Sequence, residues 1–249
     1  GVEFKDPKSG HTILITPEKA IQIQIDLGSD IIMVLDDLTG QSIAESKRTF
    51  EAMERTHRWL VRCVDEFKKQ VKAIKAGQHP LLFGIVQGGL DTVLRRKSLE
   101  FVQSQPVDGI AIGGLAVGEG RKEMYKVLRY LSKLYDPGKA HYLMGVGYPR
   151  DMRLAIENGI DMFDCVVPTR NGRHGAVWQK ADKKINLKNA NFLSDKGVID
   201  KNCDCYTCGT GYSKAFLHHM FKSEDPLAGK LASIHNLRYL QRICEEYRK

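Results

Sequence analysis

Short apolar runs alternate with longer amphipathic stretches over most of the chain. Runs such as 81–86 and 109–112 are apolar or glycine throughout, which is typical of strands buried on both faces. The predicted strands lie at 2–5, 31–35, 81–86, 109–112 and 141–144. The predicted helices, with apolar residues spaced among many charges, lie at about 16–27, 42–75, 91–103, 122–134 and 149–158. This alternation indicates an α/β fold in which parallel strands are joined by right-handed crossovers.

Polar residues and glycines follow several of these strands directly. In a (β/α)8 barrel the carboxyl ends of the strands build the active site, whereas in an open doubly wound sheet they border a crevice. We favour the TIM-type barrel because such residues follow many successive strands. In addition, no Gly-x-Gly-x-x-Gly sequence follows a first strand.

The residues that follow the strands can form one site. They are Asp36, Asp37, Gln87, Gly113, Gly114, Met144, Gly145 and Asp164, with Arg170 and Arg173 on the next loop. Carboxylates and an amide can bind the polar edge of a heterocycle. Glycines let a flat ring approach backbone N–H groups, and methionine can pack against the face of an aromatic ring. One of the acids can act as a nucleophile in glycosyl chemistry. Structural interpretations also exist, such as helix capping by Asp36 or an ion pair between Asp164 and Arg170.

The stretch 159–175 places an acid beside a cationic segment. A short apolar run ends at Asp164, and a loop broken by proline and glycine follows, carrying Arg170, Arg173 and His174. The chain as a whole has a net charge of +8. Together these features indicate that the chain binds a polyanion, with nucleic acid as the first candidate. The alternative is that it is an ordinary basic protein whose charge serves no such partner.

Length and composition narrow the class of protein. A chain of 249 residues that is 42% hydrophobic can form one large domain, or a barrel with a small appended subdomain. No apolar run reaches the roughly 18 residues of a membrane span, and no secretory leader opens the sequence. We therefore expect a cytoplasmic protein without a membrane partner.

Three cysteines, Cys203, Cys205 and Cys208, fall within six residues. So tight a cluster favours a metal site in a reducing compartment over a disulfide framework. Zinc in a structural site takes four tetrahedral nitrogen or sulfur ligands, so a fourth ligand is expected downstream. Such a closed site stabilises the fold and performs no chemistry. The candidates for the fourth ligand are His235, His218 and His219.

Five stretches have the sequences of known motifs, among them Gly-Gly-Leu-Ala-Val-Gly at 113–118. They are 28–31, 83–88, 113–120, 141–147 and 159–175. With the cysteine cluster, they resemble the bacterial tRNA-guanine transglycosylases, the queuine tRNA-ribosyltransferase family. The resemblance covers essentially the whole chain and implies an irregular (β/α)8 barrel with a zinc-binding subdomain. The expected parts are the C-terminal portion of the barrel at 1–175, the zinc-binding subdomain at 176–235 and a C-terminal helix at 236–249.

The resemblance implies a pentosyltransferase that acts on the anticodon loop of tRNA. Members exchange guanine at the wobble position for a 7-deazaguanine base, in the biosynthesis of queuosine. Their substrates are the tRNAs for Asn, Asp, His and Tyr, which have GUN anticodons. By motif, Asp164 corresponds to the nucleophile that attacks C1′ of the ribose and forms a covalent aspartyl-ribosyl intermediate.

The resemblance also implies roles for the other residues. The expected substrate-binding residues are Asp36, Gln87, Gly114, Leu115 and Met144. Arg170 and Arg173 correspond to contacts with tRNA. The expected ligands of one structural Zn²⁺ per chain are Cys203, Cys205, Cys208 and His235. A homodimer is expected, because members dimerise partly through the zinc subdomain.

The sequence also indicates which base the enzyme incorporates. Leu-Ala-Val-Gly at 115–118 is similar to the bacterial enzymes that use preQ1 (7-aminomethyl-7-deazaguanine), so preQ1 rather than queuine is the expected incoming base. Leu38 stands where bacterial members usually have cysteine.

Members also have an upstream Asp-Ser-Gly-Gly-Tyr-Gln motif whose aspartate handles protons, and nothing here matches it. A fragment of the enzyme, or a shortened protein of altered activity, is therefore expected.

Two other functions are alternatives. A non-catalytic tRNA-binding accessory subunit would use the same surface, but such subunits tend to lose the nucleophile, whereas Asp164 and the Gly-Gly-Leu sequence are present here. A zinc-stabilised hydrolase of a sugar or nucleoside would use water as the acceptor and would not depend on tRNA.

Overall fold

The computed structural model describes residues 1–39, 46–75 and 79–248. The chain divides into two compact units. The first contains Gly1–Met144 and Asn158–Met162, and the second contains Gly145–Glu157 and Phe163–Lys249. Within the described residues, no helix is both long enough and apolar enough to span a membrane.

The first unit is built around a parallel sheet. Its strands, in spatial order, are β3 (Ile31–Met33), β4 (Leu81–Val86), β5 (Gly109–Ile112), β6 (Ala140–Leu143) and β7 (Met162–Phe163). Neighbouring strands run parallel, with Phe83 of β4 opposite Gly109 of β5. An antiparallel hairpin of β1 (Val2–Lys5) and β2 (Thr12–Ile15) precedes this sheet. The α/β prediction is confirmed, and five parallel strands in chain order are consistent with part of a TIM-type barrel.

One helix precedes this sheet and three connect its successive strands, as the pattern predicts. They are α1 (Pro17–Asp26), α2 (Ser46–Gln70), α3 (Thr92–Gln103) and α4 (Arg121–Leu131). Thr16 caps α1 by accepting the Lys19 N–H at 3.2 Å, and Asp91 caps α3. The predicted start of the second helix at 42–45 lies outside the described residues.

In its described residues, the second unit contains five α-helices, two short 3-10 helices and a small hairpin. Its α-helices and strands are α5 (Pro149–Glu157), α6 (Val167–Arg173), β8 (Ala176–Gln179), β9 (Lys183–Asn186), α7 (Tyr206–Gly209), α8 (Lys214–Lys222) and α9 (Pro226–Tyr247). The strands β8 and β9 pair antiparallel. Buried apolar residues of α8 and α9, including Leu217 and Leu231, pack with the three clustered cysteines in one core. The predicted domain bounds at 175 and 235 stay a prediction.

The loop predicted after Asp164 is wrong, because residues 167–173 form helix α6. Pro168 lies in its first turn, where a missing N–H costs nothing. Gly172 lies against α9, where an added Cβ would come within 2.5 Å of Ser233 Oγ. Glycine therefore allows close helix packing here, and Asn236 of α9 donates to the Pro168 carbonyl at 3.0 Å.

Candidate active site and metal centre

A hydrogen-bonded pair of polar side chains lies at the carboxyl ends of β3 and β4. Gln87 Nε2 donates to Asp36 Oδ2 at 2.6 Å. The glutamine is buried, with 1% of its surface exposed, and its backbone N–H donates to Ser98 Oγ at 3.1 Å. This arrangement brings two of the predicted substrate-binding residues together.

The environment of Asp36 favours protonation of its carboxyl. Burial raises the pKa of Asp36, the neighbouring Asp37 carboxylate acts in the same direction, and the Gln87 hydrogen bond opposes both. A carboxyl of this kind can accept a hydrogen bond when ionised and donate one when protonated. It is therefore suited to the edge of a heterocycle that presents both donors and acceptors.

Asp37 has a different role from its neighbour. Its carboxylate pairs with Arg48, at 2.7 and 2.9 Å, and with Arg55. Burial acts to raise the pKa of Asp37, but the hydrogen bonds from both arginines outweigh it and lower the pKa overall. Asp37 thus stays ionised and anchors α2 to the segment after β3.

The turn after β5 requires glycine at Gly114. Its φ of 65° lies in the left-handed region, and an added Cβ would come within 2.5 Å of Gln87 Oε1. Leu115, which follows, is 3% exposed. Met144, at the end of β6, is half-buried and donates its N–H to the Ile112 carbonyl at 3.4 Å.

Arg95 on α3 contacts the backbone of the candidate site and was not predicted from the sequence. It is fully buried, with 0% of its surface exposed. Its guanidinium donates to the carbonyls of Val86 (3.0 Å), Gly89 (2.7 Å), Gly113 (2.7 Å) and Gly114 (3.1 Å). Burial lowers the pKa of Arg95 to about 10, so the group stays charged at neutral pH. One cation thus holds four carbonyls at the ends of two strands.

The second unit contains the predicted nucleophile. Asp164 directly follows β7 and is exposed, and its Oδ1 accepts the Gly145 N–H at 2.8 Å. The adjacent Cys165 thiol donates to the Gly145 carbonyl at 3.4 Å, so both residues are tied to the same backbone segment. An accessible carboxylate held in one orientation by a backbone N–H can attack an electrophilic carbon.

Arg170 and Arg173 lie on α6 rather than on a loop. Both are exposed, and their spacing of three residues places them on one face of the helix. Two guanidinium groups on a short helix that is fixed against α9 provide a rigid cationic surface. Such a surface is suited to phosphates or bases.

Four side chains converge on a point in the second unit that can hold a metal ion. They are Cys203, Cys205, Cys208 and His235, all buried, with their ligand atoms within 4.8 Å of one another. His235 Nδ1 lies 3.4 Å from Cys208 Sγ, while its Nε2 lies 2.7 Å from the Trp178 carbonyl. The bond to Trp178 fixes the tautomer in which Nδ1 is available as a ligand.

The same geometry decides between the candidate histidines. His218 is buried, but its Nδ1 lies 2.8 Å from the Leu187 carbonyl. His219, the next residue of α8, is exposed. Only His235 joins the cysteines among the histidines of the described residues. Three sulfurs and one nitrogen in a buried group are the donor set of a structural zinc site.

Comparison with known proteins gives one consistent result. Residues 1–249 match the family model described as queuine tRNA-ribosyltransferase. The chain is 45% identical over 249 residues to the queuine tRNA-ribosyltransferase of Herpetosiphon aurantiacus, covering 100% of this chain and 61% of the relative. It is 43% identical over 243 residues to that of Prochlorococcus marinus, covering 98% and 62%. It is also 43% identical over 249 residues to that of Haemophilus influenzae, covering 100% and 63%. The chain thus spans about 60% of the length of the curated relatives it matches.

Proposed function

Since this chain belongs to the queuine tRNA-ribosyltransferase family, we propose that it carries out tRNA-guanine transglycosylation. The enzyme exchanges guanine for preQ1 at the wobble position of tRNAs with GUN anticodons, those for Asn, Asp, His and Tyr, in queuosine biosynthesis. The observation that carries the proposal is the exposed Asp164 carboxylate, held by the Gly145 N–H at the end of β7. A retained nucleophile argues against an accessory subunit without activity.

The reaction consists of two displacements at one carbon. Asp164 attacks C1′ of the ribose, the glycosidic bond breaks, and its electron pair leaves with guanine, which takes up a proton. The product is a covalent aspartyl-ribosyl ester. The nitrogen of preQ1 then attacks C1′, loses its proton and displaces the carboxylate. Two inversions give net retention of configuration, as in retaining glycosidases.

Guanine and preQ1 share the same pyrimidine edge, so one pocket can bind both. Asp36 and Gln87 form the polar wall of this pocket, supported by their 2.6 Å hydrogen bond. Gly114 brings a backbone N–H to the base, Leu115 supplies its carbonyl, and Met144 packs on the ring. The Leu-Ala-Val-Gly sequence at 115–118 favours preQ1 over queuine.

The purified protein is expected to incorporate labelled guanine, and preQ1 in competition with it, into a tRNA with a GUN anticodon. A tRNA that differs only in having adenine at the wobble position serves as the control and is expected to take up no label. Release of free guanine without incorporation, or equal reaction with both tRNAs, would contradict transglycosylation and favour a hydrolase.

Arg170 and Arg173 are proposed to contact the phosphates of the anticodon loop. Replacing either arginine with glutamine is expected to weaken tRNA binding and to reduce the slope of log K against log salt by about 1, because each loses one phosphate contact. The measurement is tRNA affinity at several salt concentrations. Arg129→Gln, which removes an exposed charge on α4, is the matched control. Unchanged slopes for both variants would show that α6 is not at the tRNA.

The metal held by Cys203, Cys205, Cys208 and His235 is proposed to be one structural Zn²⁺ per chain. When bound, it cross-links the segment 203–208 to α9 and takes no part in the reaction. We assign 176–235 to this zinc-binding subdomain, 1–175 to the barrel portion and 236–249 to the C-terminal helix. Lys249 lies outside the described residues.

The partner of the subdomain is proposed to be a second copy of this chain, in a cytoplasmic homodimer. Three aromatic side chains lie together beside the cysteine cluster. Tyr206 is 60% exposed and Phe216 is 41% exposed. Tyr212 stacks on Phe216 with ring centroids 5.4 Å apart. Exposed aromatic groups are enriched where proteins associate, and sedimentation velocity gives the mass that tests the dimer.

A further inference from the structure

The contacts of Arg95 fix the direction of two consecutive peptide groups. The carbonyls of Gly113 and Gly114 both accept from its guanidinium, at 2.7 and 3.1 Å. In a trans peptide the N–H points opposite to the carbonyl of the same plane. The N–H groups of Gly114 and Leu115 therefore point away from Arg95.

The same helix also clamps the end of β4. The Val86 carbonyl accepts from Arg95 at 3.0 Å, and the N–H of the same peptide, which belongs to Gln87, donates to Ser98 Oγ at 3.1 Å. Ser98 in turn lies 3.0 Å from Nε2 of buried His57 on α2. The backbone from which the Gln87 side chain reaches Asp36 is thus held on both sides.

Burying the Arg95 guanidinium carries a cost that its hydrogen bonds to the two turns have to offset. Within the described residues no carboxylate forms a salt bridge with Arg95, although the more distant Glu119 charge favours its protonated form. Its hydrogen bonds go to the turns that follow β4 and β5, where the proposed base-binding residues lie. An apolar residue would fill the same volume but leave the turn carbonyls of Gly89 and Gly114 without this donor.

We propose that Arg95 is a positioning residue for base recognition. It sets the direction of the Gly114 N–H and of the Gln87 side chain, and it fixes the Gly114–Leu115 peptide from which Leu115 continues, without touching the base itself. The proposed base-binding groups among these are the Gly114 N–H and the Gln87 side chain. This role rests on the proposed function, because it assumes that these groups bind a guanine-like base. The specificity of the pocket for such a base then depends on a residue one layer behind its surface.

Two variants and a control test this role. Arg95→Lys keeps the charge but loses the planar fork, and Arg95→Met keeps the approximate volume but loses both. Arg96→Met is the control, because Arg96 is the exposed neighbour that pairs with Glu100 at 2.7 Å on the outer face of α3. The first measurement is amide hydrogen exchange of each free protein. Three further measurements follow: the affinity for guanine, the KM for the base, and the rate of covalent adduct formation with tRNA.

Both Arg95 variants are expected to exchange the Gly114 and Leu115 amides faster, while the amides of β5 stay protected. Guanine affinity is expected to fall about 10-fold or more and KM for the base to rise, because small displacements of binding groups have large effects. Adduct formation is expected to change less, because guanine that is still attached to tRNA is also held by the contacts proposed for the anticodon loop. Arg96→Met should match the wild type in every measurement.

Several results would overturn the role of Arg95. One is unchanged amide exchange and unchanged guanine affinity in Arg95→Lys, the variant expected to fold even if Arg95→Met does not. Another is an equal loss of base affinity and adduct formation with loosening of the whole unit, which would indicate a purely structural role. If the wild type binds no base at all, the proposed function fails, and amide exchange alone decides whether Arg95 fixes the turns.

Discussion

Replacement of Asp164 with asparagine is expected to reduce base exchange by about 10⁴-fold or more, because the reaction loses its attacking carboxylate. The amide has nearly the same shape, and its oxygen can still accept the 2.8 Å bond from the Gly145 N–H. The fold and the affinity for tRNA are therefore expected to stay close to those of the wild type. Label exchange measures the rate, and a denaturing gel measures the protein–tRNA adduct, which should be absent.

Asp161→Asn is the matched control for this variant. Asp161 is an exposed aspartate three residues earlier, and its carboxylate accepts the His141 backbone N–H at 2.8 Å. It therefore shares the chemistry and the type of hydrogen bond of Asp164 without the proposed role. We expect this control to form the adduct and to exchange the base. If Asp164→Asn also formed the adduct, another residue would have to be the nucleophile.

The order of strands and helices can be predicted from the sequence because its signals are local. The apolar runs 81–86 and 109–112 coincide with β4 and β5, since strands covered on both faces carry no polar residues. The cap at Thr16 is likewise contained in a few adjacent residues. Element ends depend more on neighbours, and β3 stops at Met33 although its apolar run continues to Leu35.

The segment 167–173 shows where local signals mislead. Proline and glycine favour a loop when read alone, but here each has a specific place in helix α6. The helix depends on close packing of Gly172 against Ser233 and on a hydrogen bond from Asn236, both far away in the sequence. Contacts of this kind have no signature within the segment itself.

The candidate site likewise contains some residues that can be predicted from the sequence and others that cannot. The acids, glycines and cysteines can be selected from the sequence by their chemistry and position, whereas the fourth metal ligand stays open among three histidines. Arg95 carries a signal that can be recognised only in retrospect. It lies four residues before Leu99 and seven before Val102, which places it on the buried face of α3. A charged residue on a buried face marks a polar function inside the fold.

Loss of the metal is expected to unfold the core around the cysteine cluster. Structural zinc in small domains binds with about 10–16 kcal/mol at neutral pH, which is as large as the whole stability of a typical domain, about 5–15 kcal/mol. The three cysteines are at most 7% exposed and pack with Leu217 and Leu231, so the ligands and the apolar core form one cluster. Cys208→Ser should therefore lose both the metal and a large part of the stability of the second unit.

The expected result is one zinc per wild-type chain by elemental analysis, and much less in Cys208→Ser, with a strongly lowered melting temperature. Cys244→Ser is the matched control, because Cys244 is a half-buried cysteine of α9 outside the metal group and should retain both metal and stability. Chelation of the wild type should reproduce the Cys208→Ser result, since ligand loss and metal loss remove the same cross-link. Full zinc content in Cys208→Ser, or unchanged melting after the metal is removed, would contradict a structural Cys3His site.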